Sequence, residues 1–246
     1  ITPRLKQYEV AHLNKYDLVA GITERDIAHF QRLGLEKPAV VCPIGVDSRD
    51  YFVDDRCFDQ PLSLSFIGSL DWMPNQDGLK WFLDEVWQPL LAPQFPNLTF
   101  HIAGRTAPGW LRNLNVERVT FHGEVPDAAD FINQHAVMVV PLLSGGGMRA
   151  KILEGMAVGK VVLSTRIGME GIDAQDGREC LLADTPEDFA AAVRSCYDRG
   201  PELRQMGHMA RAFCVENFDN VEVAKRLLLT YRGLIRKNKP EHSAVN

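Results

Sequence analysis

The sequence predicts an α/β protein built on a doubly wound parallel sheet, and three observations carry that expectation. Short runs rich in Val, Ile and Phe alternate with stretches of helical period, the signature of strand–helix crossovers. Five consecutive apolar runs end in loops that bear glycine: "GSLDWMPNQDG", "GRTAPG", "GEVPD", "SGGGMRAK" and "RIGMEG". The 246 residues are 46% hydrophobic and 24% charged, which suits a globular chain with one large core or two small ones and excludes disordered and collagen-like classes.

Taken in order, the expected strands are "DLVAGI" (17–22), "AVVCPI" (39–44), "SLSFIG" (63–68), "LTFHIAG" (98–104), "RVTFHG" (118–123), "AVMVVPL" (136–142), "VVLST" (161–165) and a weak "CLLA" (180–183). Helices fill most of the gaps. One opens at the N-cap Thr23 and closes at Gly34; another is capped by Thr185, has Pro186 at its first position and stops at Gly200. "WFLDEVWQPLL" is a plain amphipathic helix, so Trp81 and Trp87 are assigned to packing. Residues 46–62 have no period and much Asp and Pro, and are expected to form a linker. It divides a short N-terminal piece, 1–45, from a doubly wound domain, 63–218, and a last helix with a tail, 219–246.

Charge and cysteine usage narrow the partners. A net charge of −5 leaves no electrostatic footprint for nucleic acid. The basic run "YRGLIRKNK" could touch an anionic surface, but a solvated helix end with cations near its C-terminus is the preferred account. Five cysteines, odd in number and without a C-x2-C pair, indicate a reduced, cytoplasmic chain without a zinc site. No apolar run reaches bilayer length and no signal peptide is recognisable. The chain opens at Ile1 inside a helical pattern, which we read as a fragment.

The most informative stretch is "PLLSGGGMRAKILEGMAVG", residues 141–159. Three glycines each weaken regular structure, so their use suggests that something approaches the main chain closely. A strand ending near Leu142, bare amides at Gly145, Gly146 and Gly147, and a helix starting near Met148 together make an anion site. The spacing fits neither a P-loop nor a G-x-G-x-x-G fingerprint. On a helical wheel Ile152, Leu153, Met156 and Ala157 share the core face, with Lys151 and Glu154 opposite. From spacing alone, Lys151 and Glu154 are as readily a surface ion pair worth about 0.2–0.5 kcal/mol. Arg149 resists such an account, because a cation in the first helical turn opposes the dipole. The seven histidines lack ligand spacing, and His101 and His122 are taken as framework residues. Trp72 and Met73 are equally readable as cleft or core, and Glu170, only a few residues past a strand, could reach a bound ligand, although a turn residue is the preferred account.

"VVCPIGVD", "LSFIGSLDWMPNQDGLKWF", "LTFHIAGR", "FHGEVPD" and "VVPLLSGGGMRAKILEGMAVGKVVLSTRIGMEGI" resemble the nucleotide-sugar-binding half of a retaining GT-B glycosyltransferase of family 4, the group 1 glycosyltransferases. The resemblance runs from about residue 17 to 232 and is most specific over 137–172. It implies a Rossmann-like half of a GT-B fold and transfer from a nucleotide diphosphate sugar, with retention and without metal or other cofactor. It assigns Glu154 to the donor ribose, the glycine loop with Met148 to the diphosphate and sugar, Gly68 and Ser69 to the phosphates, and Arg105 and Val125 to the base. Residues 1–45 become the end of an acceptor-side half, and the glycan or lipid-linked acceptor would bind through the rest of that half. The last helix would brace it, leaving Val223, Leu227, Leu228 and Tyr231 partly stranded and the fragment open to dimerisation. A polysaccharide-building role and a cytoplasmic place, peripheral at the inner membrane face or not, go with this.

Two departures stand out. The family's E-x7-E has lost its first carboxylate, since Gly146 lies eight positions before Glu154. The usual Arg and Lys that clamp the diphosphate fall roughly at Ser69 and Asn75, so that role passes to Arg149 or Lys151 as the catalytic cations. A sugar-nucleotide epimerase and a non-catalytic nucleotide-binding module of the same fold stay open.

Overall fold

A computed structural model describes residues 3–237. All eight expected strands form: β1 (Val19–Gly21), β2 (Ala39–Val41), β3 (Ser63–Ile67), β4 (Thr99–Ala103), β5 (Val119–Gly123), β6 (Val137–Val140), β7 (Val161–Ser164) and β8 (Leu181–Leu182). Each is trimmed relative to its apolar run. Pro141 ends β6, because a residue without an N–H cannot extend a central ladder.

The helices are α1 (Pro3–His12), α2 (Glu24–Arg32), α3 (Met73–Trp81), α4 (Gly109–Arg112), α5 (Ala128–Asn133), α6 (Ala150–Ala157), α7 (Pro186–Cys196), α8 (Gly200–Phe218) and α9 (Asn220–Lys237). Thr23 and Thr185 cap α2 and α7 in reciprocal capping boxes with Asp26 and Asp188. Gly200 corrects an expectation: it opens α8 instead of ending α7, which stops at Cys196. A β-carbon there would collide with the Phe58 carbonyl, so close approach, not a C-cap, requires the glycine. The stretch after α3 is also not a plain amphipathic helix. Phe82–Leu91 widens to π geometry around Pro89, and the Ala92 N–H reaches back five residues to the Trp87 carbonyl, 2.8 Å away. Trp87 is fully buried with its indole N–H on the Glu117 carbonyl, and Trp81 packs edge-on against Phe189.

The main sheet is wholly parallel in the order β5-β4-β3-β6-β7-β8, and β1 and β2 pair in parallel as a separate two-stranded sheet. Alternation places Leu64, Phe66, Val137 and Val139 on one face with Phe82, Trp87 and Phe189. Met138, Val140 and Val162 go to the other face, under Ile152, Leu153 and Met156 of α6. Burial on both faces explains why β6 and β7 read as continuous apolar runs. The strand order reverses between β3 and β6, and there the loops after both strands part to leave a crevice.

Residues 46–62 are not a free linker. Cys57, Phe58 and Leu62 join the core, and Val46 bridges to Asp219 at the start of α9. His101 and His122 share a hydrogen bond of 3.0 Å between ring nitrogens, and His101 stacks on the buried His135. Burial holds His135 neutral, with its pKa pushed down to about 3. On α9, Val223 is buried, against expectation, whereas Leu228, Leu229, Tyr231 and Ile235 are exposed. The expected tail, 238–246, lies outside the described residues, as does part of the basic run. No described helix is long and apolar enough to cross a membrane.

Candidate functional site

The crevice at the switch point holds a cleft of about 670 Å³ lined by Gly68, Ser69, Arg105, Val125, Lys151 and Glu154, all expected site residues. Glu124, Ala128 and Ala150 also line it, and sequence reasoning missed them. Glu124 sits inside the quoted "GEVPD" loop, so its position after β5 was the available signal.

Lys151 joins the two sides of the crevice. From the first turn of α6 its ammonium reaches across to the β3 side, donating to Asn75 Oδ1 at 2.9 Å, while Asn75 Nδ2 donates to the Ser69 carbonyl at 2.8 Å. The ammonium also stands 4.2 Å from the centre of the Phe66 ring. A cation from α6 therefore occupies the neighbourhood of Asn75, roughly where the resemblance would place a lysine. Burial, reinforced by Arg149, pulls the Lys151 pKa down to about 7, with Glu154 acting in the opposite sense. Glu154 is raised by burial, which Lys151 partly counters. Tyr51, from the supposed linker, lies close enough for Glu154 to add to the rise that burial gives its phenol.

The triple-glycine loop is built around Arg149. Gly145 and Gly147 adopt φ of 114° and 84°, where a side chain is strained, so two of the three glycines answer the chain's own conformation. Arg149 is the N-cap of α6 yet caps nothing with its side chain, which folds back under the loop. Its Nη1 donates to the Gly146 carbonyl at 2.7 Å, and its guanidinium lies 5.2 Å from the Trp72 ring centre. It is only 9% exposed, and Nε and Nη2 are buried with no hydrogen-bond partner among the described residues. Burial lowers its pKa, and Glu170 opposes that shift. Trp72 is 38% exposed and Met73 is exposed outright, so neither is a core residue, and neither lines the cleft. The Met148 side chain is buried in the core. Gly145, Gly146, Gly147, Met148 and Arg149 do not line the 670 Å³ cleft itself.

Glu170 departs from the role of a simple turn residue. Its Oε2 accepts from the Gly147 amide at 3.1 Å, and its Oε1 pairs with Arg25 of α2. Among the described residues no three His, Cys, Asp or Glu side chains converge as a metal-binding group.

The architecture is the Rossmann-like half of a GT-B fold. The chain belongs to the group 1 glycosyl transferases, whose family profile matches residues 61–199, more than half of it. It is 25% identical over 167 residues to an uncharacterized 44.6 kDa protein in the cps region of Klebsiella pneumoniae. That match covers 64% of this chain, which spans 43% of the relative's length. Among solved structures it resembles Anabaena HepE in complex with UDP and glucose, at 16% identity and TM-score 0.74, covering 94% of this chain and 67% of that one. It also resembles the sucrose-phosphate synthase of Thermosynechococcus elongatus, at 18% identity and TM-score 0.75, covering 95% and 62%. The pneumococcal O-GlcNAc transferase GtfA, in complex with UDP and GlcNAc, follows at 17% and 0.71, covering 94% and 48%. At these identities the structural likenesses establish the fold.

Proposed function

We propose that these residues form the donor-binding half of a glycosyltransferase that moves a glycosyl group, with retention, from a nucleoside diphosphate sugar to a glycan or lipid-linked acceptor. Residues 63–218 hold the donor, and the acceptor-side half, to which 1–45 belong, supplies the second substrate. One observation carries this reading: α6 gathers two incompletely paired cations, Arg149 and Lys151, at the end of the helix that already attracts anions, with Glu154 one turn further along.

The chemistry follows from the charges. As the bond between the sugar's anomeric carbon and the phosphate oxygen lengthens, its electron pair passes to the diphosphate and the ring gains oxocarbenium character. Arg149, Lys151 and the loop amides meet that growing charge from fixed positions, so little reorganisation opposes the step. Side chains and amides, with no metal or other cofactor, stabilise the leaving group. Glu154 accepts from the ribose hydroxyls, and Arg105 and Val125 flank the base across the cleft. HepE and GtfA, crystallised with UDP, share the fold and make uracil a reasonable first base to try.

Isothermal calorimetry with UDP, GDP and ADP and their hexose conjugates tests the reading. One nucleoside diphosphate is expected to bind, and Glu154→Gln to weaken it about tenfold. Binding of none of them to the wild type would overturn the proposal, and binding without any transfer by the full-length protein would favour a non-catalytic module.

A further inference from the structure

We infer that Glu170 is a sugar-binding residue of the donor site, presenting its carboxylate to hydroxyls of the transferred glycosyl group. The inference rests on the donor reading above. Along the axis of α6 and the loop before it, the charged groups fall in a fixed order. Glu154 is followed by Lys151 on the cleft wall, then by Arg149 at the helix start, and finally by Glu170, held on the amide of Gly147. The order is minus, plus, plus, minus. A nucleoside diphosphate sugar has the complementary sequence: a polyol ring, two phosphates, and a second polyol ring. Each charge also falls within reach of its neighbour's field, since Glu154 and Arg149 both act on Lys151, and Glu170 acts on Arg149.

A carboxylate at that place cannot itself take a phosphate, which it would repel. It is compatible with a bound diphosphate only if it meets hydrogen-bond donors, and the hydroxyls on the group joined to the distal phosphate are the donors such a molecule offers there. Glu170 is well prepared for this. Its side chain is 14% exposed, so one edge is still reachable, and the Gly147 amide fixes Oε2 at 3.1 Å. The partner on Oε1 is Arg25, whose side chain is 75% exposed. A carboxylate oxygen has lone pairs for more than one donor, so Arg25 and a hydroxyl can share it.

The position also accounts for the bare Gly146. A β-carbon there would stand 3.9 Å from Glu170 Oε2, so a carboxylate borne by residue 146 would approach the one that Glu170 already places beside the loop. Two carboxylates so close would repel and could not both ionise readily. The charge comes from the turn after β7, and the loop keeps its glycine.

The test is calorimetry on the 246-residue chain with UDP, GDP and ADP, each alone and as its glucose, galactose, N-acetylglucosamine and mannose conjugates. The readout is the ratio of affinities between the best conjugate and its bare diphosphate. Glu170→Gln, which keeps an acceptor for the Gly147 amide, is expected to lower that ratio about tenfold while leaving the bare diphosphate within about twofold. Arg25→Ala is expected to leave the ratio unchanged. A ratio unaltered in Glu170→Gln overturns the inference, and so does an equal loss for both ligands. An equal loss of the ratio in Arg25→Ala also overturns it, because Glu170 would then act only as a tie to α2. A wild type that binds no diphosphate at all fails the donor reading instead, so the two failures are separable.

Discussion

A lysine and an arginine lie at each end of helix α6, and the two pairs are treated in opposite ways. At its C-terminal end Lys160 is wholly buried, yet its ammonium donates to the Asp54 carbonyl and lies 5.0 Å from the Phe58 ring centre. Beside it Arg211, from α8, donates to the carbonyls of Ala157, Tyr51 and Ser48. Cations there satisfy orphan carbonyls and run with the helix dipole. At the N-terminal end, Arg149 leaves two nitrogens without partners and Lys151 leans on a neutral amide and a ring. Those cations oppose the dipole: Lys151 lines the cleft, and Arg149 is buried under the loop beside it. The contrast teaches that burial of a cation does not by itself mark a site; the proposed site rests on incomplete pairing where the backbone also attracts anions.

The largest effect expected from this contrast is on binding. Arg149→Ala combined with Lys151→Ala should weaken nucleoside diphosphate binding by on the order of 100-fold or more, since each charged hydrogen bond contributes about 1.5–3 kcal/mol. Unchanged affinity in calorimetry would break the comparison at its centre. The second effect separates the two lysines by stability. Lys160→Met leaves the Asp54 carbonyl short of its donor and should cost about 2 kcal/mol in urea unfolding. Lys151→Met should instead gain about 1 kcal/mol, because it removes a poorly solvated charge from a proposed functional position. The sign follows from linkage. A lysine whose folded pKa is depressed to about 7 stabilises the fold fully only above its unfolded pKa, and that contribution is lost as pH falls through about 10.5 toward 7. Equal losses in the two variants would show that both lysines are structural.

How much of this could be read from the sequence differs between fold and site. The central strands β6 and β7 declared themselves, because burial on both faces forces uninterrupted apolar runs, and the parallel order followed from the alternation of strands with helices. The core face of α6 was equally legible from its period. Segment 46–62 was not, since Phe58 and Lys160 are brought together across about a hundred positions and nothing local signals it. Gly200 was misread because a glycine needed for close approach looks the same in sequence as one needed for a helix stop. Within the candidate site, glycines followed by a helix singled out residues 141–159, but Gly145 and Gly147 also serve the loop's own conformation and the cleft is lined beside the loop, by Lys151 and Glu154. The grip of Lys151 on Asn75, and of Glu170 on the Gly147 amide, spans 76 and 23 positions and depends on which strands are neighbours. Spacing along one helix cannot report a contact across the switch point.

The smallest effect concerns protons, and it sharpens the contrast without any mutation. At neutral pH the Lys151 amine is close to half protonated, since burial and Arg149 together bring its pKa to about 7. A bound diphosphate favours the ammonium and raises that pKa, so above pH 7 the complex carries more protons than the free protein. Affinity should then fall by up to about tenfold per unit as pH rises from about 7 until the pKa of the complex is reached. Calorimetry in buffers of different ionisation enthalpy should register proton uptake on binding near pH 7.5, and Lys151→Arg, whose side chain stays charged, should abolish both the uptake and the decline. An affinity independent of pH between 7 and 8.5 in the wild type would mean that the ammonium does not meet the phosphates, leaving Arg149 and the loop amides to hold them alone.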